Sequence, residues 1–297
     1  MLYCGALARV AIAAAAVVLA ARCTAFRSGA EPLRTVLHPG SGQRDCLVVL
    51  LPGRGDGAED FAARGFVADL RAALPAVDAL AVGGLMGHIR AGTVLERLRA
   101  DVLQPARRLG YRQVWLAGIS AGGSAAILYD GRYPGEATGL VLLAPFLGEA
   151  KTVRQVAAAG GPRAWVPSAP DGEDFQQDLW RWAKGPGSGE AVGRVFLLFG
   201  ANDRFAAGHR LLAGVLPTQQ VFTAPGGHDW RTWRELWRAF LRSNALAPCV
   251  PPSQRRGEAP CSVAAASLRR SPICLVTRKA RLTKRKPPTP SVTTRAG

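Results

Sequence analysis

One stretch limits what this chain can fold into more than any other: Val114-Trp115-Leu116-Ala117-Gly118-Ile119-Ser120-Ala121-Gly122-Gly123. An apolar run rich in strand formers ends in Gly-x-Ser-x-Gly, and a helical pattern follows at once through Ala125, Ile127, Leu128 and Tyr129. Glycines two residues to either side of the serine let strand and helix pass without side-chain clash. The strained corner lifts the hydroxyl out of the sheet, and the free amides of the helix N-terminus point at whatever binds there. Alone the five-residue pattern is weak; its place between a strand and a helix gives it weight.

The flanking sequence continues the alternation. Strands are expected at Cys46–Leu51, Ala79–Val82, Val114–Ile119, Leu140–Ala144, Val195–Phe199 and Gln220–Thr223. Helices are expected at Ala58–Ala73, Thr93–Leu109, near His209–Val215 and from Trp230 to Leu241. Apolar strands that run without polar alternation, each followed by a helix-length segment, predict an α/β fold: a mainly parallel sheet with helices on both faces. Residues 148–193 break the rhythm and are too long for a plain connection, so they read as a lid insertion across the C-terminal ends of the strands. Its Trp165, Trp180 and Trp182 either line an acyl pocket or pack the lid onto the body.

The two ends stand apart from this domain, which spans 31–246. Arg9 precedes an uninterrupted apolar run from Val10 to Ala21. Twelve such residues fit a signal-peptide core and fall short of the roughly 20 that cross a bilayer. Residues 1–25 are therefore expected to be a signal peptide cleaved after Ala25, or a membrane anchor, and the protein to be exported. An arginine directly before Cys23 departs from the bacterial lipoprotein pattern. From 247 to 297 Pro, Ser, Thr and Arg dominate without periodicity, which predicts a disordered tail. Of the net charge of +17, residues 249–297 carry +10, eleven basic side chains against Glu258, and the rest of the chain carries +7. The basic surplus thus belongs mostly to the tail, and nucleic acid is not the implied partner of the domain. Cys46, Cys249, Cys261 and Cys274 allow three pairings once the signal is removed; Cys46, opening a strand, is expected to be a buried thiol.

A serine hydroxyl needs a base, and the base needs a carboxylate to fix its tautomer. Asp203 lies just past the strand Val195–Phe199, and His228 just past Gln220–Thr223, so all three groups follow the C-terminal ends of strands, where a parallel sheet presents its crevice. Their order is serine, acid, histidine. Leu50-Leu51-Pro52-Gly53-Arg54-Gly55-Asp56-Gly57 follows the first strand, and its glycines let the backbone approach a ligand. The amides of Arg54 and Ala121 are the candidate oxyanion donors. Asp229 and Glu149 are the rival acids, and side chains of neighbours such as His228 and Asp229 diverge on a turn. His209 is expected to be an exposed helix residue, with His88 and His38 in loops. Trp230, Trp233, Trp237 and Phe240 recur at helical spacing and mark a buried face. Asp56, Glu59 and Asp60 open a helix.

In Pro52-Gly53-Arg54-Gly55, Gly118-Ile119-Ser120-Ala121-Gly122, Gly200-Ala201-Asn202-Asp203 and Gly226-Gly227-His228-Asp229-Trp230, the chain resembles the α/β-hydrolase superfamily, specifically its small serine carboxylesterases and esterase-like members. The resemblance covers about residues 44–242. It implies Ser120 as nucleophile, Asp203 as acid and His228 as base, a small-molecule ester as substrate, and no cofactor or metal. Many relatives carry His-Gly where this chain has Pro52-Gly53. Peptidase, thioesterase and acyltransferase chemistry share the same triad and stay open, as does a non-catalytic binding protein on this scaffold. The N-terminal segment also allows membrane association.

Overall fold

The computed structural model describes residues 31–42, 44–185, 194–246 and 249. The expected signal or anchor (1–25), the end of the insertion (186–193) and the tail (247–297) apart from Cys249 lie outside the described residues.

Seven strands form one sheet in the order β1-β3-β2-β4-β5-β6-β7. They are β1 (Arg34–His38), β2 (Cys46–Leu51), β3 (Asp78–Gly83), β4 (Gln113–Ile119), β5 (Gly139–Leu143), β6 (Val195–Gly200) and β7 (Val221–Ala224). All neighbours run parallel except the edge strand β1, which pairs antiparallel with β3. Expected strands lie within a residue or two of these bounds. β1 was not among them, because half-exposed RTVLH has no continuous apolar run.

Each central strand is buried on both sides, which is why it reads as an unbroken apolar run. Leu47, Val49 and Leu51 of β2 join one core with Val114 and Leu116 of β4; Cys46, Val48 and Leu50 join the opposite core with Trp115, Ala117 and Ile119. Helices α1 (Ala58–Ala63), α2 (Phe66–Ala73) and the C-terminal α10 (Trp230–Arg242) cover the second core. The first core lies under α3 (Leu85–Arg90), α4 (Val94–Leu98), a π-helical turn (Arg99–Leu103), α5 (Gln104–Arg108), α6 (Ala121–Arg132), α7 (Ala150–Ala158), α8 (Phe175–Trp182) and α9 (Ala206–Ala213).

Several expectations are corrected here. The helix expected over Ala58–Ala73 is broken at Gly65, which adopts φ 83°. A Cβ at Gly65 would fall 2.4 Å from the Arg234 guanidinium carbon, so the glycine also makes room for that side chain. Cys46 is not a free thiol; it is bonded to Cys249 across 203 residues. His209, expected at the surface, is fully buried beside Phe199, because α9 turns that face toward β6. His88 lies in α3 rather than a loop, and His38 is the last residue of β1.

The insertion after β5 contributes α7 and α8. Trp180 is fully buried and Trp165 nearly so, both in the core beneath α6. Trp182 Nε1–H donates to Asp130 Oδ2 of α6 at 2.8 Å. Packing onto the body thus accounts for Trp180 and Trp182.

Candidate functional site

Chain direction reverses across the sheet between β2 and β4: β2 connects toward β3 on one side, while β4 begins the march through β5, β6 and β7 on the other. The loops after β2 and β4 therefore leave the sheet at its switch point, the position at which parallel sheets present their ligand sites.

Ser120 sits at the head of β4 with φ 51° and ψ −111°. That corner exists only because its neighbours are bare. A Cβ at Gly118 would lie 2.3 Å from the Gly122 carbonyl oxygen, and one at Gly122 would lie 2.2 Å from the Leu51 carbonyl oxygen. The Ser120 amide donates to Leu143 O at 2.9 Å, and Ser120 O accepts from the Phe146 amide at 3.0 Å, so β5 and its loop fix the corner. Ser124 Oγ–H, one turn into α6, donates to Phe146 O at 2.5 Å.

Two further loops reach this hydroxyl. His228 Nε2 lies 3.0 Å from Ser120 Oγ. His228 Nδ1 lies 2.8 Å from Asp203 Oδ2. Backbone bonds lace the two loops together, from Ala201 N to Ala224 O at 2.9 Å and from Asn202 N to Gly226 O at 3.0 Å. The edges of Phe205 and Trp233 flank the imidazole, with ring centroids 5.0 and 4.9 Å away. The residues picked out by strand position and chain order are thus neighbours in space.

Asp203 is 5% exposed and its other oxygen accepts from the Phe205 amide at 2.8 Å. Burial pushes its carboxyl up, but the hydrogen bonds from His228 and the Phe205 amide, with the nearby imidazoles, outweigh burial and hold it below the ordinary carboxylate value. An ionised carboxylate on Nδ1 places the ring proton there and leaves Nε2 to accept from the hydroxyl. The hydrogen bond to His228 Nδ1 comes to Asp203 and not to the rival acids. Asp229 caps α10, accepting from the Thr232 amide at 3.0 Å, and Glu149 is the exposed N-cap of α7.

The β2 loop closes the other side. A Cβ at Gly53 would come within 3.6 Å of Ser120 Cβ, so the turn carrying Arg54 adjoins Ser120. Ala121, first residue of α6, has an amide without an intrahelical acceptor. Asp56 Oδ1 accepts from Trp230 Nε1–H at 3.2 Å, tying this turn to the start of α10. In the sequence Asp56 opens a helix and Trp230 falls on an apolar helical face; only the folded chain brings a residue of the first loop to one of the last. Among the described residues, no group of three or more His, Cys, Asp or Glu side chains is arranged to hold a metal ion.

No family model and no curated protein sequence matches the chain. Its fold is similar to that of S-formylglutathione hydrolase (FrmB) from Staphylococcus aureus, with a TM-score of 0.51 at 10% identity over 72% of this chain and 90% of that one. It is likewise similar to Est1E from Butyrivibrio proteoclasticus, with a TM-score of 0.51 at 16% identity over 72% of this chain and 93% of that one. With a mainly parallel seven-stranded sheet, a serine at the sharp turn after its central strand and these likenesses, the chain adopts the α/β-hydrolase fold.

Proposed function

We propose that this protein is a serine hydrolase that cleaves small carboxylic esters through an acyl-enzyme, with Ser120 as nucleophile, His228 as base and acid, and Asp203 as the carboxylate that orients the imidazole. The observation that carries this is the relay of two hydrogen bonds, 3.0 Å from Ser120 Oγ to His228 Nε2 and 2.8 Å from His228 Nδ1 to Asp203 Oδ2. As Oγ attacks the ester carbonyl carbon, its proton passes to Nε2 and the carbonyl electron pair moves onto oxygen. The amides of Arg54 and Ala121 hold that oxyanion; one such donor contributes about 2.7–4 kcal/mol to the transition state. Collapse expels the alcohol, which takes the proton from Nε2. Water then repeats the sequence on the acyl-enzyme and frees the acid. The ionised, buried Asp203 favours the transient imidazolium. The fold similarity to S-formylglutathione hydrolase agrees with this chemistry.

Labelling by a fluorophosphonate probe, with turnover of p-nitrophenyl esters of graded acyl length, tests the reading. Wild-type protein is expected to label and turn over, and Ser120→Ala to lose both while keeping its far-UV circular dichroism. An unlabelled wild type, or turnover that survives in Ser120→Ala, overturns it. We also propose export, on the N-terminal apolar segment and on the Cys46–Cys249 bond, since disulfides persist in oxidising compartments. A mature chain beginning after Ala25 is the expected mass-spectrometric result.

A further inference from the structure

Beside the Ser120 site, on the outer face of α10, runs an open groove of about 700 Å³ between that helix and the turn joining α1 to α2. Arg64, Arg231, Arg234, Arg238 and Arg242 line it, with Trp230 at one end and Glu235 as its acid. Arg231, Arg234, Arg238 and Arg242 share one helical face, and eleven residues at ~1.5 Å each spread them over about 16 Å.

The groove is organised rather than merely basic. Asp69 of α2 accepts from Arg234 Nε at 2.7 Å and lies 3.0 Å from Arg238 Nε, fixing both guanidinium groups from below. Arg234 lies against Gly65, where any side chain would displace it. The Arg64 guanidinium sits 5.8 Å from the centroid of the Trp230 ring. No acidic side chain among the described residues forms an ion pair with Arg64, Arg231 or Arg242. Asp69 and Glu235 offset two of the five positive charges and Asp56 lies within electrostatic reach of Arg64, which leaves the lining with a net positive charge centred on Arg231 and Arg242. Arginine forks match phosphate oxygens in bidentate pairs, and a row of oriented forks suits several phosphates in series.

We infer that this groove binds a ligand carrying two or more phosphate groups, held between the anchored Arg234 and Arg238 and the unpaired Arg64, Arg231 and Arg242.

Trp230 supplies a reporter that the basic tail cannot imitate. The full-length protein, labelled at its indole nitrogens, is titrated with tripolyphosphate at low salt. The Trp230 N–H resonance is assigned by its loss in Trp230→Phe. Saturable movement of that resonance is expected. The double variant Arg231→Gln/Arg242→Gln should weaken the apparent affinity about tenfold. Arg90→Gln/Arg108→Gln removes the same charge from exposed positions elsewhere and should change it less than about twofold. Vesicles of phosphatidylcholine with and without cardiolipin, whose headgroup carries two phosphates, separate the phosphate sources. Movement with tripolyphosphate supports a soluble ligand, and movement only with cardiolipin supports a lipid headgroup. A Trp230 resonance unmoved by both overturns the inference. So does an equal response to poly-glutamate, or an equal loss in the two double variants.

Discussion

Asp203 and His209 lie close together and meet opposite fates. Asp203 stays ionised because hydrogen bonds from His228 and the Phe205 amide outweigh its burial. His209 Nε2 lies 2.9 Å from Pro145 O, and burial outweighs this bond and the nearby Asp203 charge and pushes its imidazole down to about 4 from 6.5. Asp203→Asn should therefore lower kcat by about 10³–10⁴, since an amide no longer selects the Nδ1–H tautomer. Steady-state turnover of p-nitrophenyl acetate checks this, and a fall below about tenfold would place the orienting acid elsewhere. For His209 the unfolded chain takes up the proton first on acidification. The stabilisation is complete above pH 6.5 and is lost as pH falls toward 4, about 3 kcal/mol in all. In His209→Gln, urea midpoints should depend less steeply on pH across that window than in the wild type. Asp203, with a depressed pKa, contributes stability above its unfolded value of 3.8 that is lost only at lower pH, so the two effects separate.

At the scale of elements, the buried carboxylate of Asp130 joins three segments. It accepts two bonds from Arg194, at 2.9 and 3.0 Å, just before β6, and one from Trp182 of α8. Asp130→Ala would strand the guanidinium and free the indole N–H, at a cost of about 3–5 kcal/mol by urea unfolding. Arg194→Met in the same background should recover part of that loss. None of this was legible in the chain, because the partners are 52 and 64 residues from Asp130 and no spacing rule links them. β2, β4, β5 and β6 were legible, since burial on both faces writes itself as consecutive apolar residues. β1 was hidden because an edge strand need not be apolar. The break at Gly65 was hidden because the apolar period of α1 continues into α2 past a single glycine.

The whole molecule is closed by a covalent link that the sequence left open among three pairings. Cys46 at the start of β2 meets Cys249 after α10, so a bond spans the sheet domain almost from its first central strand to its last helix. Chain order and strand ends had already pointed to Ser120, Asp203 and His228, because a parallel sheet gathers its loops on one side. Which cysteine reaches Cys46 depends instead on where the chain runs after α10, and local pattern carries no such information. Cys46→Ala, or reduction of the wild type, should lower stability by about 2–5 kcal/mol, seen as a matching drop in Tm for both. Unchanged melting after verified reduction would show that the link adds nothing to the packed core.

That bond also dictates where the arginine- and lysine-rich extension can be trimmed. A stop codon placed at or before residue 249 removes a strut of the sheet domain together with the appendage, and any resulting insolubility would be wrongly credited to the extension. A cut after residue 249 keeps Cys249 available to bond Cys46, so only truncations beginning beyond it report on the appendage alone.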